Sequence, residues 1–228
     1  MALKRTLAAL TLPLLLIAGC GGTDDEDTGG GEPGVPSPTD PGAGDGGGGE
    51  GGDEDAGGDG DERVIAQIAE TFEPYSDGAA AVTYDEEMVP EGARVELTIA
   101  SGGDGGEDEP GTEFDLEVYG LHGDHDFGAH MHTDPCGADP DDSGPHYQDR
   151  KDPEQPSTDP RYANDDNEVW LDLRTDSRGD GDSDTDVDWT PRPEEMRSLV
   201  IHAEHTKTAH GEAGTAGDRL ACADVELK

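Results

Sequence analysis

Short runs of alternating apolar and polar residues recur from residue 78 to the end of the chain, between turns rich in Gly, Asp and Pro. The alternation is clearest at 94–99, Arg-Val-Glu-Leu-Thr-Ile, and at 114–119, Phe-Asp-Leu-Glu-Val-Tyr. Because successive side chains of a β-strand point to opposite faces, such runs indicate strands with one buried and one solvated face. No long stretch has the 3.6-residue period of a helix. The pattern therefore restricts this part of the chain to an all-β fold.

Eight such strands at this spacing favour an eight-stranded antiparallel Greek-key barrel or sandwich. One connection, 134–167, is a long loop rich in Asp, Pro and Gly, and long ordered loops in compact domains are usually functional. The predicted strands are 79–84, 93–101, 112–121, 127–133, 169–175, 184–190, 198–203 and 219–227.

The N-terminus has the features of an export signal. Two basic residues, Lys4 and Arg5, precede an apolar run over 7–17 that is too short to span a bilayer. The next residues, Ile-Ala-Gly-Cys at 17–20, resemble a bacterial lipobox. That resemblance implies a signal peptide over 1–19, lipidation of Cys20, and an exported lipoprotein anchored at the outer face of the cell membrane. A plain secretory signal or an uncleaved anchor is the alternative.

The segment that follows Cys20 differs sharply from the rest of the chain. Residues 21–62 contain no Lys or Arg and almost no apolar side chain. Such a segment cannot bury enough apolar surface to offset the entropy lost on ordering it. We therefore predict a disordered, acidic, Gly-rich linker over 20–62, a transition segment over 63–77, and one folded domain over 78–228.

The rest of the chain is also strongly acidic. Of the 56 Asp and Glu residues 42 lie in 63–228, together with 12 of the 14 Lys and Arg residues. Such an excess indicates a halophilic protein kept soluble in concentrated salt, where a Debye length of about 3 Å at 1 M screens the repulsion. An ordinary solvated surface is the alternative. The charge argues against nucleic-acid binding, because phosphate contacts need clustered Lys and Arg.

Four histidines, His130, His132, His146 and His202, lie on or beside predicted strands. Residues i and i+2 of a strand share a face, so the first two form half of a metal site, although such pairs also occur at solvated edges. Imidazole suits copper, zinc, iron or nickel, and four nitrogens in a tetragonal array favour Cu(II). The set lacks the oxygen ligands of magnesium or calcium and the thiolates of iron–sulfur clusters. We predict a copper site.

The chain has three cysteines, an odd number for an exported protein. If Cys20 is lipidated, Cys136 and Cys222 remain, and an oxidising compartment favours a disulfide between them. Two separately buried thiols are the alternative.

The order of the motifs in the strand-rich region resembles that of the copper/zinc superoxide dismutases. The resemblance covers about residues 78–228, and its last motif is the most specific. The motifs are His-x-His at 130–132, Cys136, Gly-Pro-His at 144–146, Leu-Val-Ile-His at 199–202, and Gly-x-Ala-Gly-x-Arg-Leu-Ala-Cys at 214–222.

By position, the resemblance implies that His130, His132 and His202 are copper ligands and that His146 takes the place of the imidazole shared between copper and zinc. It also implies that Arg219 is the active-site arginine, which orients an anion beside copper. The cysteines at the matching positions would form the family's intrasubunit disulfide.

The zinc side of the resemblance is missing. The sequence has no histidine between His146 and His202, and the stretch from His202 to Arg219 is short for the family. Carboxylates with one shared imidazole make a poor zinc site, so the chain resembles a copper-only member. The outer nitrogen of His146 then needs another partner, which we predict is an acidic residue of 165–168. The available carboxylates include Asp152, Asp159, Asp165, Asp166 and Glu168.

The resemblance implies that the protein converts superoxide to dioxygen and hydrogen peroxide, with copper carrying the electrons. Arg219 would attract the anion, and His146 would give a proton to the nascent peroxide. A non-enzymatic copper-binding lipoprotein that buffers or delivers the metal is the alternative, and an inactive domain kept for cell-surface interaction is a third. We make no prediction of the oligomeric state.

Other aromatic residues receive simpler interpretations. Trp170 and Trp189 are expected to pack within strands. The remaining histidines are expected in solvated turns, although 120–125 could form an auxiliary metal-capture loop. They are His122, His125, His205 and His210.

Overall fold

The computed structural model describes residues 63–103 and 111–228. Within them the chain forms ten strands and one short 3-10 helix, Pro140–Ser143. The strands are β1 (Arg63–Thr71), β2 (Glu73–Pro74), β3 (Ala81–Thr83), β4 (Arg94–Gly103), β5 (Gly111–Tyr119), β6 (Asp126–His132), β7 (Leu173–Arg174), β8 (Gly181–Val187), β9 (Ser198–His202) and β10 (Arg219–Asp224). The all-β prediction is confirmed for these residues.

The first sheet has four antiparallel strands in the order β1-β4-β5-β8. Leu97 of β4 lies opposite Leu116 of β5, and Ile99 lies opposite Phe114. These side chains are buried, while most of their neighbours along each strand are at least partly exposed, as the alternation predicts. Each large buried apolar side chain contributes about 1.5–3 kcal/mol to folding.

The second sheet has the order β2-β3-β10-β9-β6-β7, and only its short β2–β3 pair is parallel. The central strand β9 is buried throughout, and so is β6 after its first residue. Met131 and Leu199 of these strands belong to the core that the two sheets share. Because side chains alternate along a strand, His130 and His132 lie on the opposite face, under the long loop.

The two sheets pack as a β-sandwich around one core. They do not close into a barrel, so the sandwich is the correct one of the two predicted forms. Among the described residues there are ten strands rather than eight, and two of them are only two residues long. The Greek-key connection stays a prediction.

Strand β1 lies where we predicted a transition segment over 63–77. It pairs with β4 from Arg63 to Thr71, and Phe72 beyond it is fully buried. A register shift between Val64 and Ala66 buries two successive residues. It therefore breaks the alternation of buried and exposed residues by which a strand is recognised in a sequence. The sheet therefore begins at Arg63 rather than near residue 78.

Two other predicted strands differ in extent. Only Leu173–Arg174 of 169–175 forms a strand, and the strand predicted at 184–190 is Gly181–Val187. The latter alternates Asp with small polar residues, so it has little apolar signal to mark its bounds.

The predicted disulfide is present and joins Cys136, near the start of the long loop, to Cys222 of β10. In the chain-entropy model a closed loop of this length stabilises the fold by about 4–5 kcal/mol. The long loop also contains the 3-10 helix, whose first turn is capped by Asp139. The disulfide thus fixes one end of the loop that covers the histidines.

The signal peptide over 1–19, the lipidated Cys20 and the linker over 20–62 lie outside the described residues. Within 63–103 and 111–228, no helix is long and apolar enough to cross a membrane.

Candidate metal centre

Three elements bring the four predicted histidines together. The central strand β6 carries His130 and His132, and its neighbour β9 carries His202, opposite Gly128. The long loop supplies His146, which forms a β-bridge with His132. The backbone N–H of Tyr147 donates to the carbonyl of Met131 at 2.7 Å, so the loop is fixed directly beside the strand.

One possible ligand atom from each of the four rings lies within 4.8 Å of all the others. The Nε2 atoms of His132 and His202 are 3.3 Å apart, and the ring centres of His130 and His146 are 4.1 Å apart. Three rings are buried, and His146 alone of the four is partly exposed. Four nitrogens this close form a group that could hold one metal ion.

Hydrogen bonds outside the group decide which nitrogens are free to bind a metal. Nδ1 of His132 donates to the carbonyl of Gly144 at 3.0 Å, so Nε2 carries the lone pair of the neutral ring. Nδ1 of His146 donates to the Glu168 carboxylate, which likewise leaves Nε2. Nε2 of His130 lies 2.7 Å from the Thr206 hydroxyl, which leaves Nδ1.

Two buried nitrogens lack hydrogen-bond partners among the described residues, Nδ1 of His130 and Nδ1 of His202. A buried polar atom without a partner costs about 1–3 kcal/mol, so such atoms in a native protein call for an explanation. A metal bound at Nδ1 of His130 would provide one. For His202, the backbone of Gly217 opposes the lowering of its pKa by burial.

Burial keeps the imidazole rings of His130, His132 and His202 neutral. It lowers the pKa of His130 and His132 well below the usual 6.5, and the neighbouring histidines lower it further. Burial, with His146 nearby, lowers the pKa of His202 to about 3. Metals bind the neutral imidazole, so in the folded protein the nitrogen lone pairs of His130, His132 and His202 are available to a metal at neutral pH.

The partner of His146 is Glu168, within the predicted range 165–168. Its Oε2 accepts from Nδ1 of His146 at 2.9 Å and from Nε1 of Trp170 at 2.8 Å. Its Oε1 accepts from Nε2 of Gln148 at 2.7 Å. A buried carboxylate is expensive unless it is hydrogen-bonded, and three N–H donors satisfy this one.

The other candidate carboxylates lie elsewhere. Asp152 accepts from Ser157, and Asp159 pairs with Arg161. Asp165 and Asp166 are exposed. The outer nitrogen of His146 is therefore occupied by one carboxylate.

Gly214 packs against the His146–Glu168 hydrogen bond. A Cβ atom at this position would lie 3.0 Å from Cβ of Ala163, 3.5 Å from Oε2 of Glu168 and 3.8 Å from Nδ1 of His146. Its φ of +77° also favours glycine. The backbone of the loop before β10 thus packs directly against the His146–Glu168 pair.

A cleft of about 240 Å³ opens beside the group, between segments 155–158 and 214–217. His146, His202 and Arg219 all line it. Nη1 of Arg219 donates to the carbonyl of Pro140 at 3.0 Å and to Oγ of Ser143 at 2.8 Å. The 3-10 helix therefore holds one end of the guanidinium, and Nε and Nη2 remain as donors.

The remaining histidines lie outside the group. His122 is exposed, and Nε2 of His125 lies 2.9 Å from the carbonyl of Ala203. His205 is paired with Asp172, and His210 is exposed.

Several residues around the site were not singled out from the sequence. Ser143 and Gln148 lie within the long loop and carry no motif. Trp170 was expected only to pack, yet its Nε1–H donates a hydrogen bond to Glu168, two residues before it. The i, i+2 spacing of the two residues was a signal of this contact in the sequence. Thr206 and Asp172 are joined across 34 residues, which no local pattern reveals.

The fold and the site define a class: a β-sandwich protein with a buried four-histidine group that could hold a metal ion. No protein-family model matches this chain, and no curated protein matches it significantly.

Proposed function

We propose that this protein is a copper-dependent superoxide dismutase that works without zinc. The observation that carries the proposal is the position of Arg219 in the cleft that His146 and His202 of the four-histidine group also line. A protein that only binds copper needs the four rings but has no use for a cation held beside them. The alternative, a copper-buffering lipoprotein, therefore leaves Arg219 unexplained.

The donor set fits copper. Four imidazole nitrogens without a carboxylate or thiolate suit Cu(II) among the common metals. Bound copper would supply the one-electron chemistry that takes one superoxide to dioxygen and a second to peroxide. The chain's own residues would supply ligand geometry, anion binding and protons.

Arg219 attracts the substrate. Superoxide is a small anion, and the Nε and Nη2 donors of a fixed guanidinium, to which the described residues show no hydrogen bond, suit such an ion. The hydrogen bonds to Pro140 and Ser143 hold the group in place, so little side-chain entropy is lost when an anion binds. The exposed Asp141 lies 3.9 Å from Nε and opposes this attraction in dilute salt.

His146 is suited to carry a proton. Its Nδ1–H is committed to Glu168, so Nε2 is the atom that can take up or release a proton in the cleft. The ring is the partly exposed member of the group, and water can reach it. Glu168 would keep the ring oriented in the absence of zinc.

The charge and the N-terminus support the place of action. An acidic surface repels superoxide in dilute salt, and concentrated salt screens that repulsion. The lipobox-like sequence before Cys20 supports export and attachment at the outer face of the cell membrane.

The test combines metal analysis with a dismutase assay. Purified protein loaded with copper should hold one copper per chain, take up no zinc, and dismutate superoxide. Arg219→Ala should keep its copper and lose at least about tenfold in rate, since steering of this kind changes on-rates by about 10- to 1,000-fold. Arg178→Ala, an exposed arginine paired with Asp176, is the matched control and should have no effect. One tightly bound copper without dismutation would favour the copper-binding alternative.

A further inference from the structure

A second carboxylate, Asp172, is connected to the histidine group through a hydroxyl. Asp172 accepts two hydrogen bonds from Thr206: from the backbone N–H at 2.9 Å and from the hydroxyl at 2.5 Å. The same hydroxyl lies 2.7 Å from Nε2 of His130. The three groups form one continuous chain of hydrogen bonds.

The direction of each hydrogen bond in this chain follows from its end. An ionised carboxylate can only accept, so the hydroxyl hydrogen of Thr206 points to Asp172. The hydroxyl oxygen then accepts from His130, which must carry its hydrogen on Nε2. This places the ring's lone pair on Nδ1, the atom that has no hydrogen-bond partner.

The chain is shielded from water. His130 is fully buried, Thr206 is 8% exposed, and the Asp172 side chain is 13% exposed. In such surroundings hydrogen bonds polarise one another, so the charge of Asp172 strengthens the hydroxyl as an acceptor. The effect on His130 is to strengthen Nδ1 as an electron donor.

At Gly128 of β6, the residues around Asp172 pack closely against the strand backbone. A Cβ at Gly128 would lie 2.6 Å from the carbonyl of Glu204, 2.7 Å from Cβ of Ala216 and 3.3 Å from Oδ1 of Asp172. Glycine at this position, two residues before His130, lets the loop after β9 reach the strand. On the solvent side, Nδ1 of the exposed His205 lies 2.8 Å from Oδ2 of Asp172.

We propose that Thr206 and Asp172 are positioning residues for His130: they fix its hydrogen on Nε2, hold its ring in place, and so set how strongly it binds the metal. The inference rests on the proposed copper site and not on dismutase activity. Glu168 acts on His146 directly, whereas Asp172 acts on His130 through a hydroxyl.

The test uses Thr206→Val, which keeps the shape and removes the hydroxyl, and Thr206→Ser, which keeps the hydroxyl. Thr208→Val, at an exposed position of the same loop, is the matched control. The first readout is the nitrogen NMR spectrum of the imidazoles in the metal-free protein. We expect His130 to carry its hydrogen on Nε2 in the wild type, in Thr206→Ser and in Thr208→Val, and to lose that preference in Thr206→Val.

The second readout is the affinity for Cu(II), measured by competition with a chelator, together with the electron paramagnetic resonance spectrum. Thr206→Val should weaken binding by about 10- to 100-fold, the usual effect of removing such an outer partner, and alter the copper hyperfine splitting. Thr206→Ser should restore both. If Thr206→Val does not fold, Asp172→Asn should give a smaller change of the same kind.

Wild-type tautomer and wild-type affinity in Thr206→Val, or in Asp172→Asn when that variant replaces it, would overturn the inference. Failure of the proposed function gives a different result. In that case the wild type binds copper without dismutating superoxide, while the variants still change tautomer and affinity.

Discussion

Glu168 accepts a hydrogen bond from Nδ1 of His146 at 2.9 Å and is buried in doing so. Its second oxygen is held by Gln148. The amide of Gln148 is itself oriented, because its Oε1 accepts from the backbone of Asp152 and from the side chain of Gln155. The outer side of His146 therefore meets a carboxylate whose position and charge are fixed by neighbouring donors.

The first prediction concerns Glu168→Gln. The new amide must turn its oxygen to His146 and Trp170, so its NH2 group faces the NH2 group of Gln148. One buried N–H donor is left without a partner, which destabilises the fold by about 1–3 kcal/mol, and the ring of His146 is held less firmly in its orientation. We expect copper affinity to fall about tenfold or more, measured by competition with a chelator. Asp166→Asn, an exposed change in the same segment, should leave it unchanged. Wild-type affinity in Glu168→Gln would show that the carboxylate does not orient His146.

The second prediction concerns the support of Arg219. Ser143 accepts from Nη1 at 2.8 Å while its own hydroxyl donates to the carbonyl of Pro140. Ser143→Ala should loosen the guanidinium without touching the histidines. Azide binding to the copper-loaded protein should weaken by about threefold to tenfold, because Nη1 loses one hydrogen bond of about 0.5–1.5 kcal/mol but keeps the one to Pro140, with copper content unchanged. Ser177→Ala, at an exposed turn, is the control. Unchanged azide affinity would contradict the role given to Ser143.

The third prediction concerns the outer face of the four-stranded sheet. Acidic residues of β5 and β8 lie directly opposite one another as Glu113–Asp186, Asp115–Asp184 and Glu117–Asp182. Like charges in such pairs are destabilising by roughly 0.2–1 kcal/mol each. Thermal stability should therefore rise between about 0.1 M and 1 M salt as the Debye length falls from about 10 to 3 Å.

A charge reversal tests the cause. Asp184→Lys should stabilise the protein in about 0.1 M salt and lose most of that gain in about 1 M salt. Asp184→Asn should give a smaller gain of the same kind. A gain from Asp184→Lys that does not depend on salt would point to packing instead of charge.

The fourth prediction concerns pH. The pKa of His202 is about 3 when folded and about 6.5 when unfolded, and burial also lowers the pKa of His130 and His132. Between these values the unfolded chain binds more protons than the folded one, so stability falls as pH falls. Urea unfolding of the metal-free protein should show this loss beginning at about pH 6.5.

Two histidine variants separate this effect from other titrating groups. His202→Gln should reduce the loss of stability below about pH 6.5, since it removes one of the buried rings. His210→Gln, at an exposed position, should leave the loss as it is in the wild type. Equal pH dependence in His202→Gln and the wild type would contradict the account.

Much of the fold and site could be predicted because local patterns carried the information. Alternation located most strands, and the i, i+2 spacing placed His130 and His132 on one face. Their place on or beside predicted strands also singled out His146 and His202. The resemblance added Arg219, which the structure brings to one cleft with these two histidines. The disulfide between Cys136 and Cys222 was predicted from the cysteine count and an oxidising compartment, in agreement with the order of motifs, and it is present.

The rest depends on contacts that no local pattern records. Strand β1 was hidden by the bulge at its start, where two successive residues are buried. The choice of Glu168 within 165–168 depends on which carboxylate the loop turns inward, and its neighbours Asp165 and Asp166 point to solvent. The contact of Thr206 with Asp172 joins two loops, and only the folded chain brings them together.

The most direct test of the central claim is the decay of superoxide, followed by pulse radiolysis, in the presence of protein loaded with copper and freed of zinc. We expect decay that is catalytic, proportional to the protein concentration, and unchanged when zinc is added. Decay no faster than the spontaneous rate, with one copper bound per chain, would contradict the assignment of this site as a superoxide dismutase.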